Sequence, residues 1–558
     1  MTARRLATVT VATAIGVGMA GPALAAQPAA GSAAPVDVIV RELPGTGNQP
    51  ERAVEAFGGT VGRHLGIIDA FTASVPGDRL DSLRATPGVS DVTEDAGLEL
   101  SSKEVEDQVA QAGSLYTIAN QVTGASAMWD AGYTGQGIDV AVIDSGVVPV
   151  KGLDDPGKVV YGPDLTLETN GSAKQKDTYG HGTHMSGIIA GRDPEAKGNK
   201  KSGDASNFVG MAPDARIVSV KVADAKGQTD VSQAIAAIDW VVQNRNKNGL
   251  NIRVLNMSFG TDGVQDYVLD PLAFAAEQAW HKGIVVVVAV GNEGFGTGKV
   301  NNPAYDPYLI AVGSNTANGT ATTADDVVSS FSNDGDGTRN PDVVAPGDQV
   351  VSLRSSGSYL DKTYPQARIG DRLFRGSGTS QAAAVVSGAA ALLVQQRPTA
   401  TPDQIKALLM GTANAIPNAT AAQQGSGLVD LAEARTAPTP NAVQRFTVST
   451  GLGSLELARG SVHVTVGTRQ VRGEVDVRGR AFDVRTWAAG LRNGTNWSGM
   501  SWSGMSWSGM SWSGMSWSGM SWSGMSWSGM SWSGMSWSGM SWSGMSWSGM
   551  SWSGTDWA

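Results

Sequence analysis

Three short segments place residues that could perform nucleophilic catalysis next to glycines. Asp144 ends the apolar run VAVID and is followed by Ser145-Gly146. His181 stands in the glycine-rich loop DTYGHGTH, and Ser380 stands in GSGTSQAAAVVSG, at the first turn of a predicted helix. A serine hydroxyl is a weak nucleophile that needs a base such as histidine, and a carboxylate can hold that base in the correct tautomer. Together the three residues predict an Asp-His-Ser triad.

Each of these residues also has a purely structural interpretation. Asp144 could cap a turn, His181 could be a hydrogen-bonded loop residue, and Ser380 could be a helix N-cap. His181 and His184, with Asp177 nearby, could instead bind a metal ion. No HExxH-type pattern or further ligand at a familiar spacing accompanies them. We therefore expect His184 to be a buried, hydrogen-bonded neighbour, and we assign no metal ligands.

The surrounding elements predict an α/β fold with a doubly wound, mainly parallel sheet. Near-continuous apolar strands alternate with helical patterns, which indicates a parallel sheet covered on both faces. The predicted strands are Asp139 to Ile143, Arg216 to Val222, Ile252 to Met257, Ile284 to Val290 and Leu309 to Val312, and the predicted helices are Val231 to Asn244 and Gln381 to Gln396. Working residues of such sheets lie at the carboxyl ends of the strands, where we expect the Asp-His-Ser triad.

The order Asp, His, Ser and the residues around it resemble the subtilisin-like serine proteases, the subtilases of peptidase family S8. The segments GMAPDARIVSVKV, NMSFG, VVVAVGNEG, NPAYDPYLIAVGS and FSNDGDG followed by VVAPG agree with this family. The resemblance spans about Val36 to Arg435. It implies that Asp144, His181 and Ser380 are catalytic and that Asn292, in VGNEG, supplies an oxyanion-hole amide. The implied activity is peptide-bond hydrolysis through an acyl-enzyme.

Two positions depart from the family pattern. Gln381 and Ala384 stand where the family usually has Met and Pro. Both lie in the predicted helix that begins beside Ser380. They put the packing of that helix in question but remove no catalytic group.

The resemblance also implies where a protein or peptide substrate binds. The implied substrate-binding residues are Ser258, Phe259, Gly260, Ala289, Gly291 and Gly227. The glycines leave room and Phe259 adds apolar surface. We therefore expect medium or large apolar side chains before the cleaved bond, in a peptide that adds a strand to the cleft. Glu293, beside Asn292, could attract a basic side chain instead, or could face solvent.

Residues 1–26 predict a secretory signal peptide. They combine Arg4 and Arg5 with an apolar run from Leu6 to Met19 and small residues up to Ala25. A membrane anchor is the alternative, but the apolar run is short for a bilayer span. No later segment has the length of a transmembrane helix. We expect a secreted protein that is extracellular or associated with the cell surface.

Residues 36–100 predict a small α+β unit. Short β-like runs alternate with two expected helices, near Pro50 to Phe57 and Gly77 to Ala85. By resemblance this unit is a propeptide, which would inhibit the enzyme as an intramolecular partner until it is removed. A permanent accessory domain is the alternative. We expect self-cleavage between Asp95 and Leu115, where the chain is charged and rich in small residues.

Charge and cysteine content exclude a nucleic-acid-binding protein and a protein held together by disulfides. The 558 residues carry a net charge of −10 without a clustered basic face, which excludes a nucleic-acid partner. The sequence contains no cysteine, so an exported protein of this size must rely on a large core instead of disulfides. Calcium as a structural cofactor is implied only by the resemblance. Asn333 to Asp336 offers oxygen ligands, but these side chains could simply form turns.

A peptidase domain is predicted at 115–435, followed by a β-rich linker region at 441–486 and a Trp/Ser/Gly/Met repeat tail at 487–558. The linker contains the runs SVHVTV and EVDVRG, and in the tail tryptophan recurs every five residues from Trp497 to Trp557. A period of five fits neither a helix nor a straight strand.

The repeat is compatible with a β-solenoid or with a flexible tail that exposes aromatic side chains. Either form would let the tail bind cell-surface material or self-associate. A neutral expansion of the repeat is the third alternative. A rival function is a surface-binding protein that uses the protease-like domain only as a scaffold. The complete set Asp144, His181, Ser380 and Asn292 argues against that rival.

Overall fold

The computed structural model describes residues 34–494 and 551–552, apart from gaps at 44, 66–69, 95–113, 169–172, 197–206, 319, 321, 462 and 467. The chain divides into two compact units, Met1–Glu99 and Leu100–Ala558. The predicted signal peptide, the expected self-cleavage segment and nearly all of the repeat tail lie outside the described residues.

The described part of the first unit is a four-stranded antiparallel sheet with two helices. Its elements are β1 Pro35–Glu42, α1 Gln49–Ala56, β2 Thr60–Leu65, β3 Ala70–Pro76, α2 Leu80–Arg84 and β4 Val89–Glu94, with a 3₁₀ turn at Gly77–Arg79 before α2. The sheet order is β2-β3-β1-β4. Val38 and Val40 alternate along β1 toward a core shared with Phe71 and Leu83. Both helices lie at the predicted positions.

The second unit contains a larger, mainly parallel sheet. Its strands, with smaller sheets included, are β5 Asp139–Asp144, β6 Val159–Asp164, β7 Arg216–Lys221, β8 Ile252–Met257, β9 Phe259–Gly260, β10 Val285–Ala289, β11 Ile310–Thr316, β12 Val327–Val328, β13 Val343–Pro346, β14 Val350–Leu353, β15 Arg368–Ile369, β16 Leu373–Gly376, β17 Thr465–Val466, β18 Arg469–Gln470 and β19 Ser551–Trp552. The main sheet has the order β12-β11-β10-β8-β5-β7-β6, and β13 also pairs with β11. The predicted α/β fold with a mainly parallel sheet is confirmed.

Helices cover this sheet in two packed pairs. The helices of the second unit are α3 Ala125–Asp130, α4 His181–Ala190, α5 Val231–Asn244, α6 Pro271–His281, α7 Tyr359–Thr363, α8 Thr379–Gln396, α9 Pro402–Gly411, α10 Ala421–Gln424, α11 Leu431–Thr436, α12 Leu455–Arg459 and α13 Val484–Asn493, with single turns at Leu115–Thr117, Ile118–Val122 and Pro365–Ala367. Helix α4 packs on α8, and α5 packs on α6. Among the described residues, none of these helices is both long and apolar enough to cross a bilayer.

The strand pairing brings three chain segments to one edge of the sheet. β5 lies between β7 and β8, and β8 in turn pairs with β10. All these pairings are parallel, with Val142 opposite Asn256 and Asn256 opposite Val287. Every residue of β5 and β10 is buried, as a sheet covered on both faces requires. The loops after β5, β8 and β10 therefore begin side by side.

The region 441–486 is not β-rich, which corrects the prediction made from its alternating pattern. It contains the short helix α12 and one two-stranded ribbon, β17 with β18, among residues without regular structure. Where the structure describes this region, its valines do not line one face of a strand. Val464, Val471 and Val477 instead converge with Leu167 in a small buried cluster, which produces the same apolar alternation.

Helix α13 crosses the predicted boundary between linker and tail. Asp483 caps the helix by accepting hydrogen bonds from the backbone N–H groups of Arg485 and Thr486. Trp487 is buried, and its ring makes an edge contact with Phe274 of α6 at a centroid distance of 5.6 Å. Trp487 thus belongs to the folded unit and not to the repeat.

Candidate active site

Asp144 and His181 form a buried hydrogen-bonded pair. Both carboxylate oxygens of Asp144 lie 2.9 Å from Nδ1 of His181. Asp144 is the last residue of β5 and His181 is the first residue of α4. A carboxylate at Nδ1 favours the tautomer in which Nδ1 carries a proton, which leaves Nε2 as the basic nitrogen.

A second carboxylate, Asp177, supports this pair in a positioning role that the sequence did not predict. The backbone N–H of Ser145 donates to Asp144 (2.7 Å), and the Ser145 hydroxyl donates to Asp177 (2.8 Å). Asp177 also accepts from the N–H groups of Gly180 (2.6 Å) and Thr183 (2.8 Å), at the start of α4. Burial raises the pKa of Asp177 above its ordinary value. Its oxygens face N–H and O–H donors, which does not fit the metal alternative. Its place four residues before His181 was the available sequence signal.

His184 is buried, as expected. Burial, followed by the charge of neighbouring His181, lowers the pKa of His184 to about 3. Its backbone carbonyl accepts a 2.7 Å hydrogen bond from the Ser352 hydroxyl. His184 is therefore a neutral packing residue at neutral pH, one turn behind His181.

Ser380 is tied to the segment that follows β8. Its hydroxyl donates to the carbonyl of Ser258 (2.9 Å), and the Ser258 hydroxyl donates to the carbonyl of Ser380 (3.1 Å). Ser380 is the second residue of α8, so its backbone N–H lies at the positive end of the helix dipole. Ser380 and His181 both have 0% exposed surface.

The side chain of Asn292 has a fixed orientation. Its Oδ1 accepts hydrogen bonds from the backbone N–H and the hydroxyl of Thr379, both at 2.9 Å. Its Nδ2 is buried and has no hydrogen-bond partner among the described residues. Because Thr379 precedes Ser380 directly, this arrangement holds an amide donor next to the serine. Such a fixed donor suits an oxygen that gains negative charge during a reaction.

The predicted substrate-binding residues lie on the same sheet edge. Ser258 lies directly after β8, Phe259 and Gly260 form β9, Ala289 ends β10, and Gly291 follows it. A Cβ on Gly291 would lie 2.5 Å from the Asn301 amide nitrogen, and φ is +114° there, so the position requires glycine. A Cβ on Gly260 would lie only 3.0 Å from the Asn302 carbonyl oxygen.

Two further residues flank this edge. Gly227 has φ +76° in a turn after β7, where Asp224 accepts from the N–H groups of Lys226 and Gln228. Glu293 is exposed and accepts a 3.1 Å hydrogen bond from the Asn301 side chain. The structure thus favours the solvent-facing alternative for Glu293.

The two departures from the family pattern differ in their consequences. Ala384 is buried inside α8, which runs unbroken from Thr379 to Gln396. Gln381 is also fully buried, and neither atom of its amide finds a partner among the described residues. A buried amide without partners costs free energy, so Gln381 destabilises this helix relative to an apolar residue.

The loop Asn333 to Asp336 forms turns through its side chains. Asn333 accepts from the N–H of Glu293 (2.7 Å), and Asp334 accepts from the N–H groups of Gly296 and Gly298. Asp336 accepts from the N–H groups of Thr338 and Arg339, which follow it closely in the chain. These contacts favour the turn-forming alternative for Asn333 to Asp336.

Known proteins of one family are similar to this chain. The Subtilase family profile matches residues 135–430. The serine protease AprX of Bacillus subtilis (strain 168) is 38% identical over 282 residues, which cover 50% of this chain and 61% of AprX. Subtilisin E of the same organism is 32% identical over 378 residues, 67% of this chain and 82% of that protein. Fervidolysin from Fervidobacterium pennivorans, described as a keratinolytic enzyme related to subtilisin, has a TM-score of 0.46 at 24% identity, covering 74% of this chain and 63% of its own.

The chain therefore belongs to the subtilase family. The match to AprX spans about three fifths of the length of that relative.

Proposed function

We propose that the chain is a secreted serine endopeptidase in which Ser380 is the nucleophile, His181 the general base and Asp144 the residue that orients the base. The observation that carries this proposal is the pair of 2.9 Å contacts between Asp144 and Nδ1 of His181. This pair lies at the sheet edge reached by the loop that binds Ser380.

The reaction proceeds in two stages. The Ser380 hydroxyl transfers its proton to Nε2 of His181 while Oγ attacks the scissile carbonyl carbon, and a tetrahedral oxyanion forms. Collapse of this intermediate breaks the C–N bond, and His181 gives the proton to the departing amine. Water then attacks the acyl-enzyme in the same way and releases the acid. Asp144 stays ionised throughout and stabilises the imidazolium.

The oxyanion is bound by two donors that exist before the substrate arrives. Nδ2 of Asn292 is the first, because Thr379 holds the other end of that amide. The backbone N–H of Ser380, at the start of α8, is the second. Donors that need no rearrangement stabilise the charge when it develops, and not the neutral carbonyl before it.

Substrates are proteins or peptides that bind in extended form along Phe259–Gly260. The glycines at 260 and 291 support a preference for medium or large apolar side chains before the cleaved bond. Phe259, which was expected to add apolar surface, is instead fully buried in the hydrophobic core. Calcium stays an expectation from the family, without ligands assigned.

The first unit, which contains β1 to β4, acts as the propeptide, and the enzyme removes it by cleaving its own chain between Asp95 and Leu115. The division of the chain at Glu99 and Leu100 supports this assignment, because it falls within the expected cleavage segment. The predicted signal peptide directs export of the protein, and the repeat tail attaches it to cell-surface material.

Intact mass of the secreted chain tests the proposal. The wild type, expressed in a host without other proteases, should lose the segment before about Leu115, and Ser380→Ala should keep it covalently. Ser387→Ala is the matched control, since Ser387 lies on the same helix, is equally buried and donates its hydroxyl to Asn256. It should be processed like the wild type. Equal masses for wild type and Ser380→Ala, with folding verified by circular dichroism, would refute self-processing by Ser380.

A further inference from the structure

The described part of the repeat tail pairs with the peptide-binding strand. β19, Ser551–Trp552, is antiparallel to β9, Phe259–Gly260, with Ser551 opposite Gly260 and Trp552 opposite Phe259. A pairing of this kind uses backbone N–H and C=O groups, which are the groups that an extended substrate would use. The tail therefore competes for the same strand edge as a substrate.

The opposite edge of this segment is already occupied. The backbone N–H and C=O of Thr261 both bond to Asn302, at 2.9 Å each. Successive residues of a strand direct their backbone groups to alternate edges, so Gly260 directs its groups away from Asn302. The tail lies on that remaining edge. A substrate cannot use the Asn302 side of the strand and must displace the tail.

The direction of the tail is that of a substrate. From Ser551 to Trp552 the tail runs from Gly260 toward Phe259, and hence toward Ser258. Ser258 is the residue whose carbonyl accepts the hydrogen bond from the Ser380 hydroxyl. A substrate must likewise run with its N-terminal side along β9 and its reacting carbonyl next to Ser380.

The repeat supplies many copies of the paired sequence. Ser-Trp-Ser-Gly recurs every five residues from Ser501 to Gly554. Each copy places serine after tryptophan, while the proposed pocket prefers larger apolar side chains. The backbone of the repeat can pair with β9, but its serine side chain is a poor match for the pocket at the reacting position. We expect such a ligand to bind and to be cleaved slowly.

We propose that the repeat tail is an intramolecular competitive inhibitor that occupies β9 through its Ser-Trp-Ser-Gly units. This inference rests on the proposed peptidase function. It gives the tail a role in controlling access to the active site. The inhibition is relieved by substrates that bind tightly, or when the tail binds to another surface.

Steady-state kinetics test this inhibition with two variants. In one, both serines of every Ser-Trp-Ser-Gly unit from Ser501 to Ser553 are replaced by proline, which keeps the chain length but removes the backbone N–H donors at Ser551, opposite Gly260, and at the equivalent serines. In the other, the chain ends at Gly494. An attached ligand with an effective concentration of about 1 mM and an inhibition constant of about 0.1 mM raises KM about tenfold. Both variants should therefore show KM about tenfold lower than the full chain, with kcat unchanged.

The synthetic octapeptide SWSGTDWA, the last eight residues of the chain, serves as the probe of the site. Added to the chain that ends at Gly494, it should inhibit competitively, while the same peptide with proline for both serines should not. Intact mass must show that the tail is still attached to the full chain during the assay. Unchanged KM in both variants would overturn the inference.

A measurement without catalysis separates the inference from the peptidase proposal. In the Ser380→Ala background, amide hydrogen exchange of the segment containing Phe259–Gly260 should be slower in the full chain than in the chain that ends at Gly494. Equal exchange overturns tail binding even if the enzyme is active. If no chain with Ser380 intact reacts with an active-site titrant but exchange differs, the peptidase proposal fails and tail binding stands.

Discussion

At the scale of single residues, the candidate site depends on side chains that are held by residues directly next to Asp144 and Ser380 in the sequence. Thr379 fixes the Asn292 amide, and Ser145 fixes the Asp144 carboxylate through its N–H. These contacts set which atom of each functional group faces the reaction. Orientation of a donor before the reaction is worth more than its proximity alone, because it costs no rearrangement when charge develops.

Asn292→Ala is expected to lower kcat for a peptide substrate by about 10²- to 10³-fold with little change in KM. Removal of the oxyanion-hole asparagine from a subtilisin has an effect of this size, and we expect the same of this family member. The loss falls on kcat because the donor binds the developing oxyanion and not the ground state. Steady-state kinetics with active-site titration provide the measurement.

Thr379→Val is the matched control for this prediction. It removes the hydroxyl contacts to Asn292 and Gly291 and keeps the backbone hydrogen bond to Asn292. Because only the hydroxyl bond to Asn292, of about 1 kcal/mol, orients the amide donor, kcat should fall about fivefold, well short of the Asn292→Ala effect. A change in KM alone for Asn292→Ala would contradict its role as a transition-state donor.

At the scale of secondary structure, helix α5 contains a buried carboxylate whose ionisation opposes folding. Asp239 has 2% exposed surface and accepts one 2.9 Å hydrogen bond from Gln243. Burial raises the pKa of Asp239 to about 7. The folded protein therefore holds this proton more tightly than the unfolded chain, in which an aspartate titrates near pH 4. The free energy of unfolding should fall as pH rises from about 4 to about 7.

Asp239→Asn should remove this pH dependence. Asparagine can still accept the hydrogen bond from Gln243 and carries no charge. The variant should exceed its parent in unfolding free energy by roughly 1–3 kcal/mol at pH 8, with a smaller difference at pH 5. Denaturant unfolding at both pH values, in the Ser380→Ala background to prevent self-digestion, provides the measurement. Asp371→Asn, at an exposed position, is the control and should show no such trend. A difference that is constant with pH would show that Asp239 is already ionised in the folded state.

At the scale of the whole molecule, the residues after the family-matched region complete the fold of the second unit. Arg459 is fully buried and donates to Asp230, the N-cap of α5, at 2.7 Å. Trp487 packs against Phe274 of α6. The C-terminal extension therefore covers α5 and α6, whereas the repeat contributes only β19 among the described residues.

A chain ending at Gly494 should keep the thermal stability of the full chain, while a chain ending at Ala437 should lose much of it. The longer chain retains Arg459 and Trp487. The shorter one exposes Phe274 and leaves Asp230 as a buried charge without its arginine, which costs about 3–5 kcal/mol. Thermal unfolding followed by circular dichroism, in the Ser380→Ala background, provides the comparison. Equal melting temperatures for the two truncated chains would show that the extension is dispensable for the fold.

The fold class and the candidate catalytic residues could be predicted from the sequence, because both depend on local patterns. The hydrophobic pattern of the sequence predicts the observed bounds of the strand Ile252–Met257 and of the helix Val231–Asn244. Asp144 and Ser380 stand in segments whose glycines and apolar neighbours indicate a strand end and a helix start. These signals require no knowledge of distant contacts.

Contacts between residues that are distant in the chain could be found only in the folded molecule. The valines near Val471 alternate as in a strand, but the position of Leu167 gathers them into a cluster. Asp177 gains its positioning role from the turn that brings it to Ser145. The five-residue period of the tail gave no sign that Ser551–Trp552 pairs with Phe259–Gly260, because pairing through backbone groups leaves no mark on side-chain pattern.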